Sequence, residues 1–354
     1  MTDELIVRRE GAAGFLTINR PKAIHALTAA MDHAMTEALL KWRDDPEVKL
    51  VIIDHSEGRG FCSGGDIAFL RNSALNDNGV SGRRFFYEEY QLNHLLFTYP
   101  KPVVAFMDGI TMGGGVGISQ PARYRVATEN TRYAMPETGI GLFPDVGGGW
   151  FLNRVPGEAG LLLALTGAIV NEADALHARL ADHAIAHARQ PAFVECIAAL
   201  DWSGPAAAQR ARLRAACTAF AAESPLALPD SALRRHHDAI RRIGMAPTAE
   251  AALDALREAA ASEPWFARPL ENLANGSPTA ARVTFEYMRR CRLLGLEQVL
   301  ALDLVVARQC QRHADFPEGV RALLIDKSRD ARWSPSSFAG VDDALVEAFF
   351  APLD

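Results

Sequence analysis

A chain of 354 residues is long enough to bury a full core, and to form two domains or one domain with a large appendage. A hydrophobic fraction of 49% and a charged fraction of 23% are those of a soluble globular protein. The net charge of −6 argues against nucleic acid as the main partner, because phosphate binding calls for a basic surface.

Glu4 to Arg8 and Gly14 to Asn19 are β-type runs joined at Gly11, which predicts a hairpin. From Leu27, apolar residues recur at Met31, Met35, Leu39 and Trp42, a helical spacing with Thr28 as its cap. Leu50 to Ile53 reads as a buried strand leading into the glycine-rich turn Gly58 to Ile67. Ser81 to Phe97 reads as a helix, Val103 to Met107 as a buried strand, and Val116 to Gln120 as a buried helix. Tyr124 to Ala127 and Tyr133 to Met135 complete the strands. Strand, turn and helix in repetition predict an α/β domain.

From about Gly157 the chain is rich in alanine, leucine and arginine. Its clearest helices are Pro205 to Ala222, Pro229 to Ile243, Thr248 to Ala261, Pro278 to Leu294 and Leu296 to His313. We place a boundary near residue 200, giving a catalytic core over 1–200 and a helical region over 201–354. Cys62, Cys196, Cys217, Cys291 and Cys310 form no CxxC pair, which predicts reduced thiols and a cytoplasmic location. The N-terminus shows neither signal-peptide nor transit character, and no apolar run reaches the length of a membrane span, so no membrane partner is expected.

The motifs cluster around two glycine triplets, Gly113-Gly114-Gly115 and Gly147-Gly148-Gly149. Glycines let backbone N–H groups approach a ligand with no side chain in the way. The first triplet follows a strand and precedes a helix, which suits an oxyanion, or else close packing of that helix. Between the triplets lie Glu137 and Asp145 in an apolar, proline-broken segment. Burial there raises a carboxyl pKa and suits it to acid–base work; a helix cap or internal ion pair is the alternative.

Other chemistries fit less well. In Gly58–Ile67 the dinucleotide spacing fails, since Ser63 stands three residues after Gly60, and no P-loop lysine follows. A tight connection without ligand is the plain alternative for that turn. Ser63 lacks the G-x-S-x-G elbow, and Cys62 reads as a small buried thiol. His183 and His187, four apart in an expected alanine-rich helix, lack the HExxH glutamate, so no metal is expected. His236 and His237 read as surface.

NRPKAIHAL, GRGFCSGGDI, KPVVAFMDGITMGGGVGIS and MPETGIGLFPDVGGG, in this order, resemble the crotonase (enoyl-CoA hydratase/isomerase) superfamily. The chain is similar in particular to its 3-hydroxyisobutyryl-CoA hydrolase branch, through FFYEEY, RVATE, SPTA, DFPEGVRALLIDK and the tryptophan-x-proline at Trp333. The resemblance runs from about residue 5 to 350.

It implies a spiral of repeated β-β-α units with a helical C-terminal region that often mediates oligomers. It further implies hydrolysis of a short 3-hydroxyacyl-CoA in valine catabolism, with no cofactor besides the CoA of the substrate. By the same resemblance, Gly65 and Gly114 donate to the oxyanion, and Glu137 and Asp145 are the catalytic carboxylates. Glu89 contacts substrate, and Lys22, Ala23, Ile24, Ser63, Asp66 and Ile67 line the CoA channel. Two residues depart from the superfamily pattern. Gly117 stands where a hydratase carries its first glutamate, which tells against hydration, and His25 stands where asparagine is usual. An enoyl-CoA hydratase or isomerase, a non-catalytic acyl-CoA binder and an RNA-binding relative remain the competing readings.

Overall fold

The computed structural model describes residues 2–223 and 225–352. The chain divides into two compact units built from interleaved segments. The first comprises Met1–Gly64, Leu95–Tyr133 and Val170–Ser231; the second comprises Gly65–His94, Ala134–Ile169 and Ala232–Asp354. The change of composition near residue 200 does not coincide with a boundary between them.

In the first unit, strands β1 (Leu5–Glu10) and β2 (Ala13–Ile18) form the expected antiparallel hairpin. β2 then pairs in parallel with β3 (Leu50–His55), and β3 with β5 (Val103–Met107). β5 pairs with β7 (Tyr124–Ala127), and β7 with the short β9 (His183–Ala184). A second, three-stranded sheet has the order β4 (Gly60–Cys62), β6 (Ile110–Met112) and β8 (Arg132–Ala134). β3, β5 and β7 are thus each followed by a three-residue strand of the small sheet. The first two such pairs lead into helices α2 (Ile67–Asn76) and α4 (Gly114–Ser119). This is the repeated β-β-α unit.

Helix α1 (Ala29–Asp44) starts where Thr28 Oγ1 accepts from Met31 N at 3.3 Å. It buries Met31, Met35, Leu39 and Trp42. A Cβ on Gly14 of β2 would lie 2.7 Å from the Trp42 ring, so that strand needs a residue without a side chain there. One face of the large sheet, with Phe15, Ile52, Phe106 and Val126, packs on Phe193, Leu213, Cys217 and Phe220. These come from helices Gln190–Ala198 and Ala206–Glu223. The alanine-rich stretch just after residue 200 therefore serves the core of the sheet.

The second unit is nearly all helical. Besides α2 and α3 (Val80–Phe97), it holds Ala159–Thr166, Ala249–Ser262, Ala267–Asn275, Pro278–Cys291 and Leu296–Arg312. The single helix expected over Pro229 to Ile243 is two, Ala232–Arg235 and His237–Gly244. His236 sits at the joint, stacked on Trp265 with ring centroids 5.6 Å apart, and its side chain is only 9% exposed, so it is no surface residue. His183 and His187 do not share a helix. His183 pairs with Val126 as a strand residue, and His187 lies in a 3-10 turn where its Nδ1 meets Asp108 Oδ2 at 2.8 Å. Strand pairing has overridden the helical propensity of that alanine-rich run. No helix of the described residues is long and apolar enough to cross a membrane.

Candidate active site

Four of the expected site residues, Gly65, Glu89, Glu137 and Asp145, fall in the second unit, together with Asp66 and Ile67. Glu137 opens the 3-10 turn Glu137–Ile140, entered through Pro136 and closed by Gly141 in the left-handed region. Its side chain is buried, and Oε2 has no hydrogen-bond partner among the described residues. Burial first, and the neighbouring Asp145 second, push this carboxyl well above the usual carboxylate range. Asp145 is buried too, and its pKa is pushed up to about 6, again by burial. Tyr90, on α3, donates from its phenol to Asp145 Oδ2 at 2.6 Å. The two carboxyls differ in this side-chain donor: the Tyr90 phenol stabilises the charged form of Asp145, while among the described residues Glu137 has only its own backbone for that.

Glu89 precedes Tyr90 on α3 and is also buried. A Cβ built on Gly65 would stand 4.0 Å from Glu89 Oε1 and 3.1 Å from the Phe85 ring. Gly65 is thus walled by α3, with the glutamate carboxyl beside its backbone. Asp66 caps α2, its Oδ1 accepting from Phe69 N at 3.0 Å, and Ile67 is the first residue of that helix. The plain capping role accounts for Asp66 by itself.

Two residues that sequence reasoning missed hold the Asp145 loop in place. Asp303, on helix Leu296–Arg312, accepts from Gly147 N through Oδ2 at 2.8 Å and from the Tyr287 phenol through Oδ1 at 2.5 Å. Tyr287 OH in turn accepts from Gly149 N at 2.9 Å. Both side chains are fully buried, and burial pushes the Asp303 carboxyl well above its usual range. The only sequence signal was that Asp303 and Tyr287 each lie on the apolar face of a C-terminal helix. An acid in such a stripe has to be satisfied by something.

In the first unit, Gly113 caps α4 with φ 50° and ψ −124°, a conformation open to glycine and costly for any other residue. Gly114 follows as the first residue of the helix, where an N–H has no acceptor within the helix itself. Gly64 shows the same device with φ 118°, and a Cβ on it would lie 3.6 Å from Gly114 N. Gly115 serves packing, since its Cβ would meet the Cys62 carbonyl at 2.5 Å. Gly117 is buried inside α4 and offers no acid.

Lys22 and Ala23 belong to the 3-10 turn Pro21–Ala23, and Ile24 caps it. Ser63 donates twice to the C-terminal end of this turn, from N to Ile24 O at 2.9 Å and from Oγ to Ala23 O at 3.1 Å. Ile24 and His25 both take positive φ, 49° and 55°. His25 is the clip that holds them. Its Nδ1 accepts from Arg20 N at 2.9 Å, which leaves Nε2–H to donate to Glu57 O at 2.8 Å. Burial lowers its pKa, so the ring stays neutral. The departure from asparagine is thereby explained as a turn fastener. Cys62 is the buried thiol expected, its Sγ 3.1 Å from His25 O.

Among the described residues no group of three or more His, Cys, Asp or Glu side chains could hold a metal ion. A cavity of about 270 Å³ in the second unit is lined by Leu152, Asn153, Met245, Phe285 and Arg289, among others. It is distinct from the carboxyl cluster, for neither Glu89, Glu137 nor Asp145 reaches it.

Residues 13–350 match the enoyl-CoA hydratase/isomerase family. The 3-hydroxyisobutyryl-CoA hydrolase, mitochondrial, of Xenopus tropicalis is 39% identical over 355 residues, covering 99% of this chain and 89% of the relative. The 3-hydroxyisobutyryl-CoA hydrolase 1 of Arabidopsis thaliana is 36% identical, covering 99% of this chain and 92% of the relative. Among solved structures, a carnitinyl-CoA dehydratase from Mycobacterium thermoresistibile superposes with a TM-score of 0.88 at 38% identity, covering 100% of this chain and 98% of that one. An enoyl-CoA hydratase from Rhodobacter sphaeroides gives 0.87 at 36% identity, with 99% and 98% covered. With its β-β-α repeats and buried carboxyl pair, matched along almost its whole length, the chain belongs to the enoyl-CoA hydratase/isomerase family.

Proposed function

We propose that this protein hydrolyses a short 3-hydroxyacyl-CoA, 3-hydroxyisobutyryl-CoA in the first place, to the free acid and CoA, a step of valine catabolism. The observation that carries this is the buried pair Glu137 and Asp145 in a family whose hydratase chemistry needs an acid where this chain has Gly117. The full-length relatives bearing the hydrolase name support the same reading.

In this reading the thioester oxygen accepts from the N–H groups of Gly65 and Gly114. The loss of one such donor typically costs about 3 kcal/mol of barrier. Glu137 Oε2, without a partner at rest, either attacks the carbonyl carbon to form an anhydride or takes a proton from the attacking water. In the first route the carbon–sulfur bond breaks to release CoA, and water then opens the anhydride. In the second, water adds directly and CoA leaves from the tetrahedral intermediate. Asp145 receives the 3-hydroxyl or the water, and Glu89 lies against Gly65 to contact the acyl end. Lys22, Ala23, Ile24, Ser63, Asp66 and Ile67 line the path of CoA. CoA belongs to the substrate, and the reading calls for no metal or redox cofactor. The five free cysteines suit a reducing compartment such as the cytoplasm. The animal relatives carry "mitochondrial" in their names. A homo-oligomer is compatible with this scheme.

The names of the two superposing structures favour a second reading, hydration or dehydration of an enoyl-CoA. A panel of acyl-CoA esters, with products resolved by mass spectrometry, separates the two. Free CoA from 3-hydroxyisobutyryl-CoA, absent in Glu137→Gln while ester binding persists, is the expected result. A mass gain of one water with CoA still attached would replace hydrolysis by hydration.

A further inference from the structure

We propose that Tyr90 is a positioning residue of this site, which makes Asp145 the standing carboxylate of the pair and leaves any proton the pair holds on Glu137. The phenol donates to Asp145 Oδ2 at 2.6 Å, and both groups are buried. No donor among the described residues reaches Glu137 Oε2. Two neighbouring buried carboxyls do not both ionise readily, and the one with a hydrogen-bond donor ionises first.

The surroundings sharpen this assignment. The groups placed about Asp145 are Tyr90 on α3, Glu137 on its 3-10 turn, and Asp303 and Cys310 on helix Leu296–Arg312, with Glu89 beside Tyr90 and Tyr287 bonded to Asp303. These are acids, phenols and a thiol; among these described residues no cation shares the task of the Tyr90 hydrogen bond, which the Asp145 backbone assists. The phenol itself stays protonated, because burial and the adjacent carboxylate push its pKa well above 10. It is therefore the donor in this bond. The bond also fixes one oxygen of Asp145. Tyr90 and Glu89 are successive residues of one helix, so α3 supplies the contact beside Gly65 and the support for Asp145 together.

The kinetic arm of the test rests on the hydrolase reading; the spectroscopic arm does not. In Tyr90→Phe the lower of the two ionisations on the acid side of kcat/KM, that of Asp145, moves up by about one pH unit; below both midpoints the rate falls about tenfold, and at high pH the loss closes. A merely structural role would lower the rate equally at every pH, and that result overturns the proposal. In the Asp145→Asn background, adding Tyr90→Phe leaves the limb where it was; a further shift there overturns the assignment.

Carboxyl 13C NMR of the ligand-free protein, with resonances assigned by their loss in Asp145→Asn and Glu137→Gln, reads the same quantity without substrate. Asp145 ionises at lower pH than Glu137 in the wild type, and its midpoint rises in Tyr90→Phe. Should Tyr90→Phe not fold, the wild-type order alone decides, and Glu137 ionising first overturns the proposal. If the wild type releases no CoA, the hydrolase reading fails while this measurement still judges Tyr90.

Discussion

In the first glycine triplet, Gly113 takes a backbone conformation reserved for glycine and Gly114 opens a helix with its N–H turned away from any intrahelical acceptor. In the second, every N–H is spent inside the protein: Gly147 on Asp303, Gly148 on the Asp145 carbonyl at 2.7 Å, and Gly149 on Tyr287. In the sequence both runs permit close approach of a ligand, and the first is equally open to close helix packing. The first keeps that role as a proposal, and the second is corrected to a scaffold. Three glycines in a row permit close approach, and what approaches is decided by neighbours far away in the chain. For the second triplet those neighbours are two C-terminal helices that reach back to anchor the loop carrying Asp145.

The sharpest way to break this contrast is to remove a donor from the first triplet. Gly114→Pro deletes the N–H at a helix position that proline otherwise tolerates. We expect turnover to fall about a hundredfold to a thousandfold or more while ester binding persists. Calorimetry with a non-hydrolysable CoA ester and the rate of CoA release measure the two separately. Near-normal turnover in a folded variant would take Gly114 out of the oxyanion role.

The second triplet should answer differently. A Cβ on Gly149 would meet Cys291 Sγ at 2.5 Å and Tyr287 Cζ at 2.7 Å, both on a packed helix and neither free to retreat. Gly149→Ala should therefore lose stability first, by about 1–3 kcal/mol, as overpacked cores do. A lower midpoint in thermal unfolding checks it. Unchanged stability with lost activity would mean that the second triplet faces the substrate after all.

Much of this was legible in the residues. The hairpin, α1 with its Thr28 cap, and strands β3, β5 and β7 follow from apolar runs and turn glycines. Glu137 and Asp145 were visible as acids in an apolar, proline-broken segment. The three-residue strands β4 and β6 were not, because so short a run has no periodicity to detect. Asp303 and Tyr287 escaped for another reason: a helix pattern shows that a face is buried, never what it is buried against. His25 looked like a loose departure from asparagine until the two bonds of its ring showed the imidazole spanning the turn. The interleaving of the two units was hidden as well, since composition changes near residue 200 while the sheet still needs the helix Ala206–Glu223 for its core.

The last effect expected is a gain in stability, and it tests whether the acid carried by the second triplet's loop is held there at a cost. The folded pKa of Asp145 is raised to about 6 from 3.8, chiefly by burial. Above about pH 6 the carboxylate is charged in both folded and unfolded chains, so the folded state bears the full cost of burying it. As pH falls through 6 the folded protein takes up the proton first, and the cost declines until it is gone below 3.8. The gap corresponds to about 3 kcal/mol at most. Asp145→Asn removes the charge and keeps an oxygen for the Tyr90 phenol. At pH 7.5 the variant should therefore be more stable than the wild type by about 1–3 kcal/mol, with hydrolysis impaired, the usual trade at a functional site. The difference between the two unfolding curves should shrink steadily from pH 6.5 to pH 4. If the variant is instead less stable at pH 7.5, the hydrogen bonds to the carboxylate outweigh its desolvation, and Asp145 belongs with Asp303 as part of the scaffold.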